Sequence, residues 1–210
     1  TLAKLFFLSN NAAGGRASLE RAAMEVPGDP EAHLILAEQA LQQGRLIEAE
    51  SLYDKAISLI DKFSENQKRK RNFQIAARTG RAAIYERRKD WPAAANDMRE
   101  LLKVDPTNQN AHYRLGRALF MQKQYKPGYE EFKAAQAEDS KRNKTPTIPA
   151  PDVSAALMYD QLSQQAEPAE AKQMQDQARK FFELAVKSKN DAATSVARAQ
   201  WLIKTGALDE

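Results

Sequence analysis

The 210-residue chain contains no cysteine. A disulfide framework, a thiolate nucleophile and a cysteine-based zinc site are therefore all closed to it. That fits a reducing compartment such as the cytoplasm without fixing one, because helical stacks need no disulfides anywhere. Histidine is scarce: only His33 and His112 occur. Neither has a serine, a cysteine or a second histidine at a spacing that would make a nucleophile–base pair. Glycine-rich phosphate loops, His-Glu-x-x-His and acidic metal loops are missing too, so no catalytic residue, metal ligand or cofactor is expected. No stretch approaches the roughly 20 apolar residues of a membrane-spanning helix. The run Leu5-Phe6-Phe7-Leu8 is far too short and reads as one buried helix face. Runs of β-branched residues, which sheets favour, are absent as well.

What remains is rich in Ala, Gln, Glu, Lys, Arg and Leu, all good helix formers, and the expected class is all-α. Breakers divide the chain. Asn10-Asn11 and Gly14-Gly15 separate two expected flanking helices, and Gly28-Asp29-Pro30 turns the chain after them. Prolines at 146, 149 and 151 mark an extended connector, with helix resuming near Asp152. Within the helical segments one spacing recurs. Ala37 to Ala49, Ala82 to Ala94 and Gly116 to Gly128 each span 12 residues. Small residues at such positions let two helices of a hairpin approach closely.

The stretch from Asp105 to Asp139 carries the clearest motif. Leu115-Gly116 lies in its first helix, and Tyr125, Gly128, Phe132 and Ala135 lie in its second. This resembles the tetratricopeptide repeat, W-x₂-L-G-x₂-Y followed by A-x₃-F and a later proline, as found in bacterial-type scaffold proteins. The step from Ala82 to Gly116 is 34, the family's period, whereas Ala37 to Ala82 is 45. The resemblance implies an α-solenoid of stacked antiparallel helix pairs forming a right-handed superhelix. Its expected organisation is a flanking or degenerate repeat over 1–28 and a first repeat over 30–63, with its second helix extended to about 72. A second repeat covers 75–108 and a third 109–140, and the connector covers 141–151. A fourth, repeat-like hairpin, lengthened at Ser163–Lys172, covers 152–188, and the first helix of a further repeat covers 191–210. The chain is expected to be a piece of a longer array. Gly128, where the family favours alanine, is expected to make its helix pliable.

In this family the first helix of each repeat lines a concave groove. Carried over position by position, the groove residues are Glu31, Leu34, Glu38, Leu41 and Gln42 in repeat one. Repeat two gives Ala76, Thr79, Ala83, Glu86 and Arg87, and repeat three gives Asn110, Tyr113, Arg117, Phe120 and Met121, with Arg114 on the same helical face. The third set combines aromatics, methionine and arginine, the residue types enriched at binding hot spots. Phe120 and Met121 have a second reading, packing between repeats. His33 and His112 fall where the family places tryptophan, which points to packing or a wedge against a partner. The carboxylate clamp of some family members is mostly missing: Leu34, Glu38 and Gly80 occupy its positions, and Arg114 alone would serve.

The expected function is a non-enzymatic protein–protein interaction scaffold binding a peptide segment or partner helix. One alternative is electrostatic binding of nucleic acid or an anionic surface through residues 66–103, densest at Lys68, Arg69, Lys70 and Arg71. A stacking platform for single-stranded nucleic acid is not evident there. Another is a docking or regulatory segment of a larger enzyme.

Overall fold

The computed structural model describes residues 12–188 and 191–206, and within them the chain forms ten helices. These are α1 (Ala12–Glu25), α2 (Glu31–Gln42), α3 (Leu46–Lys62), α4 (Gln67–Arg87), α5 (Trp91–Val104), α6 (Gln109–Met121), α7 (Tyr125–Arg142), α8 (Pro151–Ser163), α9 (Pro168–Ser188) and α10 (Ala192–Thr205). No strand occurs among the described residues. The expected helix over the first residues, with its Leu5–Leu8 face, lies outside them. The chain divides after Pro106 into two compact units, α1–α5 and α6–α10.

Several helices start where a side chain accepts a hydrogen bond from a backbone N–H that the helix leaves unsatisfied. Asn66, Asp90, Asn108 and Asp191 do so for α4, α5, α6 and α10. In unit 1, α2 pairs with α3 and α4 with α5; in unit 2, α6 pairs with α7 and α8 with α9. The small residues sit at the closest approach inside each hairpin. Ala37, Ala49, Ala82 and Ala94 are all 0% exposed. Gly116 and Gly128 face each other so tightly that a Cβ on either would lie 2.9 Å from the other's carbonyl oxygen. Gly128 is thus a point of close packing rather than of pliability. Between hairpins, Gly80 on α4 leaves room for the Tyr53 ring of α3, which a Cβ there would meet at 2.2 Å.

Unit 1 has a core of Leu34, Ala37, Tyr53, Ile60, Ala77 and Ile84, among others. In unit 2, Phe120, Phe132, Tyr159, Phe182 and Trp201 dominate. Aromatic pairs run through that core, with ring centroids 5.3 Å apart for Phe120–Phe132 and for Phe182–Trp201.

Two expectations about helix limits are corrected. The insert between the first two repeats lengthens the first helix of repeat two, not the second helix of repeat one: α3 stops at Lys62 and α4 begins at Gln67. The break has a physical cause. Phe63 turns inward to 5% exposure and meets Phe73 edge-on at 5.6 Å. Asn66 then caps a new helix by accepting from the Arg69 N–H. The second correction is Gly14-Gly15, which lies inside α1 rather than between helices. Two adjacent glycines cost a helix roughly 1 kcal/mol each, and burial of Leu19, 4% exposed, against Ala32 of α2 offsets that cost.

Candidate functional site

In unit 2, α6 carries Asn110, Tyr113, Arg114, Arg117 and Met121 at spacings of three and four, which puts them on one helical face. Asn110 is exposed, and the other four are half-buried. Burial pushes the Tyr113 phenol above its ordinary pKa, opposed by the Arg117 charge and a hydrogen bond with Ser154 of α8. Arg117 follows Tyr113 by four residues on the same helical face, one turn away. Arg117 makes no hydrogen bond or ion pair among the described residues. Phe120 is a correction: at 1% exposure it belongs to the core, stacked on Phe132 and edge-on to Tyr159. Its neighbour Met121 is half-buried and packs against the same cluster. Helical geometry separates them, because a step of one residue turns the side chain by about 100°.

The carried-over positions of unit 1 form a less open set. Leu34 is 8% exposed and sits in the core, and Leu41 packs against it. Glu31 pairs with Arg69 at 3.0 Å. Glu38, Gln42, Ala76, Thr79 and Arg87 are exposed, while Ala83 and Glu86 are half-buried. Arg87 donates to the Leu41 carbonyl at 3.1 Å, tying α4 to the end of α2.

The basic stretch over 66–103 is partly neutralised. Six of its eleven cations stand in ion pairs: Arg69 with Asp29 and Glu31, Arg71 with Asp105, Arg78 and Arg81 with Asp97, Arg88 with Glu50, and Lys103 with Glu100. Lys70 donates to the Asp61 carbonyl, and Lys68 is exposed. Arg69 also lies over the rings of Phe63 and Phe73, at 5.4 and 5.1 Å from their centroids. These arginines hold hairpins together.

Only His112 of the two histidines has a hydrogen-bond partner on its ring, since the Nδ1 of His33 is buried without one. His112 Nδ1 sits 2.6 Å from Glu131 across the α6–α7 hairpin. His33 lines a recess with Glu48, and burial, followed by the nearby Lys55, holds its pKa below the ordinary value.

Sequence reasoning missed two features. One is a recess of about 540 Å³ between α1 and α2, lined by Leu19, Ala22, Val26, Ala32 and Ile35 with Arg21. Its signal was the apolar spacing of Leu19, Ala22 and Val26, which fell in a segment read as a cap. The other is Asp139, 0% exposed at the end of α7. It accepts from the side chains of Gln109, Asn143 and Thr147 and from the backbone N–H groups of Thr147 and Ile148. It thereby ties the proline-rich connector to the hairpin.

Burial disfavours the Asp139 carboxylate, and the hydrogen bonds from Ile148, Asn143 and Thr147 outweigh burial to bring its pKa down to about 2 from 3.8. A carboxyl depressed in the folded state stabilises the fold fully above its unfolded pKa and ceases to as the pH falls through the folded one. Wild-type stability should therefore fall between about pH 4 and pH 2. Asn at Asp139 should be less stable at neutral pH and have a shallower acid limb, read from denaturation midpoints across that range.

Comparison with known proteins places these hairpins. Sequence models of the tetratricopeptide repeat match residues 1–66 and 87–143, together more than half of the chain. The chain belongs to the tetratricopeptide repeat family. Solved structures agree on the fold, an all-α helical-repeat solenoid. A tetratricopeptide repeat protein from Parabacteroides merdae ATCC 43184 aligns over 97% of this chain and 71% of its own, with 18% identity and a TM-score of 0.65. YrrB, described as a TPR protein with an unusual peptide-binding site, aligns over 94% of this chain and 88% of its own, with 13% identity and a TM-score of 0.62. MamA from Desulfovibrio magneticus RS-1 aligns over 90% of this chain and 94% of its own, with 17% identity and a TM-score of 0.59. No curated protein matches in sequence.

Tetratricopeptide repeats generally serve as scaffolds for protein–protein interaction, and their families are typically non-enzymatic. Among the described residues no cluster of three or more His, Asp or Glu is arranged to hold a metal ion. None of the described helices is long and apolar enough to cross a membrane.

Proposed function

We propose that the chain is a non-enzymatic scaffold that binds a peptide segment or a partner helix, and that the α6 face is its principal contact. Asn110, Tyr113 and Met121 supply polar and apolar contact area, and Arg114 and Arg117 orient an acidic group on the ligand. The observation that carries this reading is Arg117, half-buried beside Tyr113 and without an ion pair among the described residues. A partly desolvated arginine gains more from a carboxylate than one in open water, and arginine–aromatic pairs recur at hot spots. Glu38, Leu41, Thr79, Glu86 and Arg87 form a second, separate contact on unit 1. YrrB, with a similar fold, is described as having a peptide-binding site, which supports the class of ligand.

The competing electrostatic mode depends on free cations in 66–103, most of which are already paired. Capture by the immobilised chain, washed from about 50 to about 500 mM salt, separates the two. A contact anchored by one or two arginines should weaken by no more than about tenfold. Binding that neutralises six or more phosphates would fall about a thousandfold or more. Retention of a protein partner at high salt supports the proposal. Complete release, with nucleic acid in the eluate, would overturn it.

A further inference from the structure

Two contacts fix how α6 and α8 lie against each other in unit 2. Tyr113, near the start of α6, hydrogen-bonds with Ser154, near the start of α8. Further along both helices, Phe120 meets the Tyr159 ring edge-on at 5.5 Å. The two contacts come in the same chain order, so the helices run parallel. One turn beyond the first contact stand Arg117 on α6 and, at the same level, Leu157 on α8. A further turn brings Met121 and Gln161. Arg117, Met121 and Gln161 are half-buried, and Leu157 is 39% exposed. That leucine is an exception on its helix, because every other residue from Val153 to Asp160 is buried.

The carboxylates of these two helices are already engaged. Helix α6 carries none. On α8, Asp152 accepts from the Tyr129 hydroxyl at 2.7 Å. Asp160, one turn beyond Leu157, accepts from Lys204 at 2.5 Å and from Gln164 at 2.9 Å. Arg117 is thus a cation that nothing among the described residues neutralises, level with an open leucine.

We propose that Leu157 selects the ligand of the α6 face, and that this ligand is a protein segment presenting a carboxylate and a large apolar side chain on one side. The inference rests on the α6 face being the contact; it adds α8 as the second wall and Leu157 as the residue that discriminates. The carboxylate meets Arg117, and the apolar side chain covers Leu157 and Met121. Both groups must project from one face of the segment. The two residues therefore stand two apart in an extended ligand, or three or four apart in a helical one. An ion pair near the surface gives little affinity by itself, and one partly exposed leucine gives little more. Together they set a pattern that a merely acidic sequence does not satisfy.

Selection from a random dodecapeptide phage library on the immobilised whole chain tests the proposal, with Arg117→Glu and Leu157→Gln as parallel baits. Neither side chain is fully buried, and circular dichroism of each variant should match the wild type. Wild-type selections should be enriched at least about fivefold, relative to the starting library, in Asp or Glu paired at these spacings with Leu, Ile, Phe or Trp. Leu157→Gln should abolish the apolar preference and keep the acidic one. Arg117→Glu should abolish the acidic preference and keep the apolar one. An acidic preference that needs Arg117, beside an apolar preference indifferent to Leu157, overturns the proposal and leaves the α6 face standing as the contact. Selections that neither variant alters, or that yield no such pair, overturn the proposal together with the reading of the α6 face.

Discussion

Leucine in place of Gly128 should cost unit 2 about 3 kcal/mol or more, appearing as a large loss of denaturation midpoint or as the loss of a cooperative transition. A Cβ at this position would lie 2.5 Å from the Phe120 ring and 2.9 Å from the Gly116 carbonyl. The ring could tilt, but it already contacts Phe132, Tyr125 and Tyr159, and the carbonyl belongs to a helix backbone. The two helices must therefore move apart, and the aromatic core they enclose opens with them. Even alanine, the residue the family favours here and a better helix former by roughly 1 kcal/mol, should be net destabilising in this chain. The reason is the pairing of two glycines: with glycine on both helices, their backbones have settled closer than an alanine allows. A Gly128→Ala variant with a raised midpoint would show that the separation is adjustable and that this packing argument is wrong.

Alanine at Asp97 is the corresponding prediction for unit 1, with an expected cost of about 3–5 kcal/mol. Asp97 is 0% exposed and accepts from Arg78 at 2.7 Å and from two nitrogens of Arg81 at 2.8 and 2.6 Å. Its hydrogen bonds are the main cause of the raised Arg81 pKa. Without the carboxylate, two guanidiniums remain against the α4–α5 hairpin, with only the exposed Asp54 left to one of them. Asparagine at Asp97 keeps the shape and removes the charge, so it should recover only part of the loss. Removing the exposed Glu100–Lys103 pair, by contrast, should change stability by about 0.5 kcal/mol or less. Urea midpoints for the three variants give the ranking directly, and equal costs for Asp97→Ala and Lys103→Ala would contradict it.

Much of the fold was legible because its constraint is local. Close approach demands small residues, the spacing between Ala37 and Ala49 repeats at Ala82–Ala94 and Gly116–Gly128, and the left-handed turns fall at a fixed distance between them. What the sequence concealed depends on contacts between distant residues. Ser64–Gln74 reads as helix from composition alone. Whether it extends α3 or α4 was decided by Phe63 meeting Phe73 and by Arg69 reaching Asp29, 40 residues away. The same applies to the charges. Lys68–Arg71 looks like an open cationic run until Arg69 and Arg71 are seen to bond carboxylates at positions 29, 31 and 105. Phe120 and Arg117 stood together as groove candidates because both occupy variable repeat positions. Their fates differ because Phe120 points at the second helix and Arg117 does not.

The measurement that bears most directly on the α6 face as a partner site is the affinity of a captured partner for the wild-type chain and for Arg114→Glu/Arg117→Glu, by isothermal titration. The account predicts a loss of at least about tenfold in the double variant with its helical circular dichroism intact, and little change for Lys68→Glu. Unchanged affinity in the double variant, or an equal loss from Lys68→Glu, would contradict it.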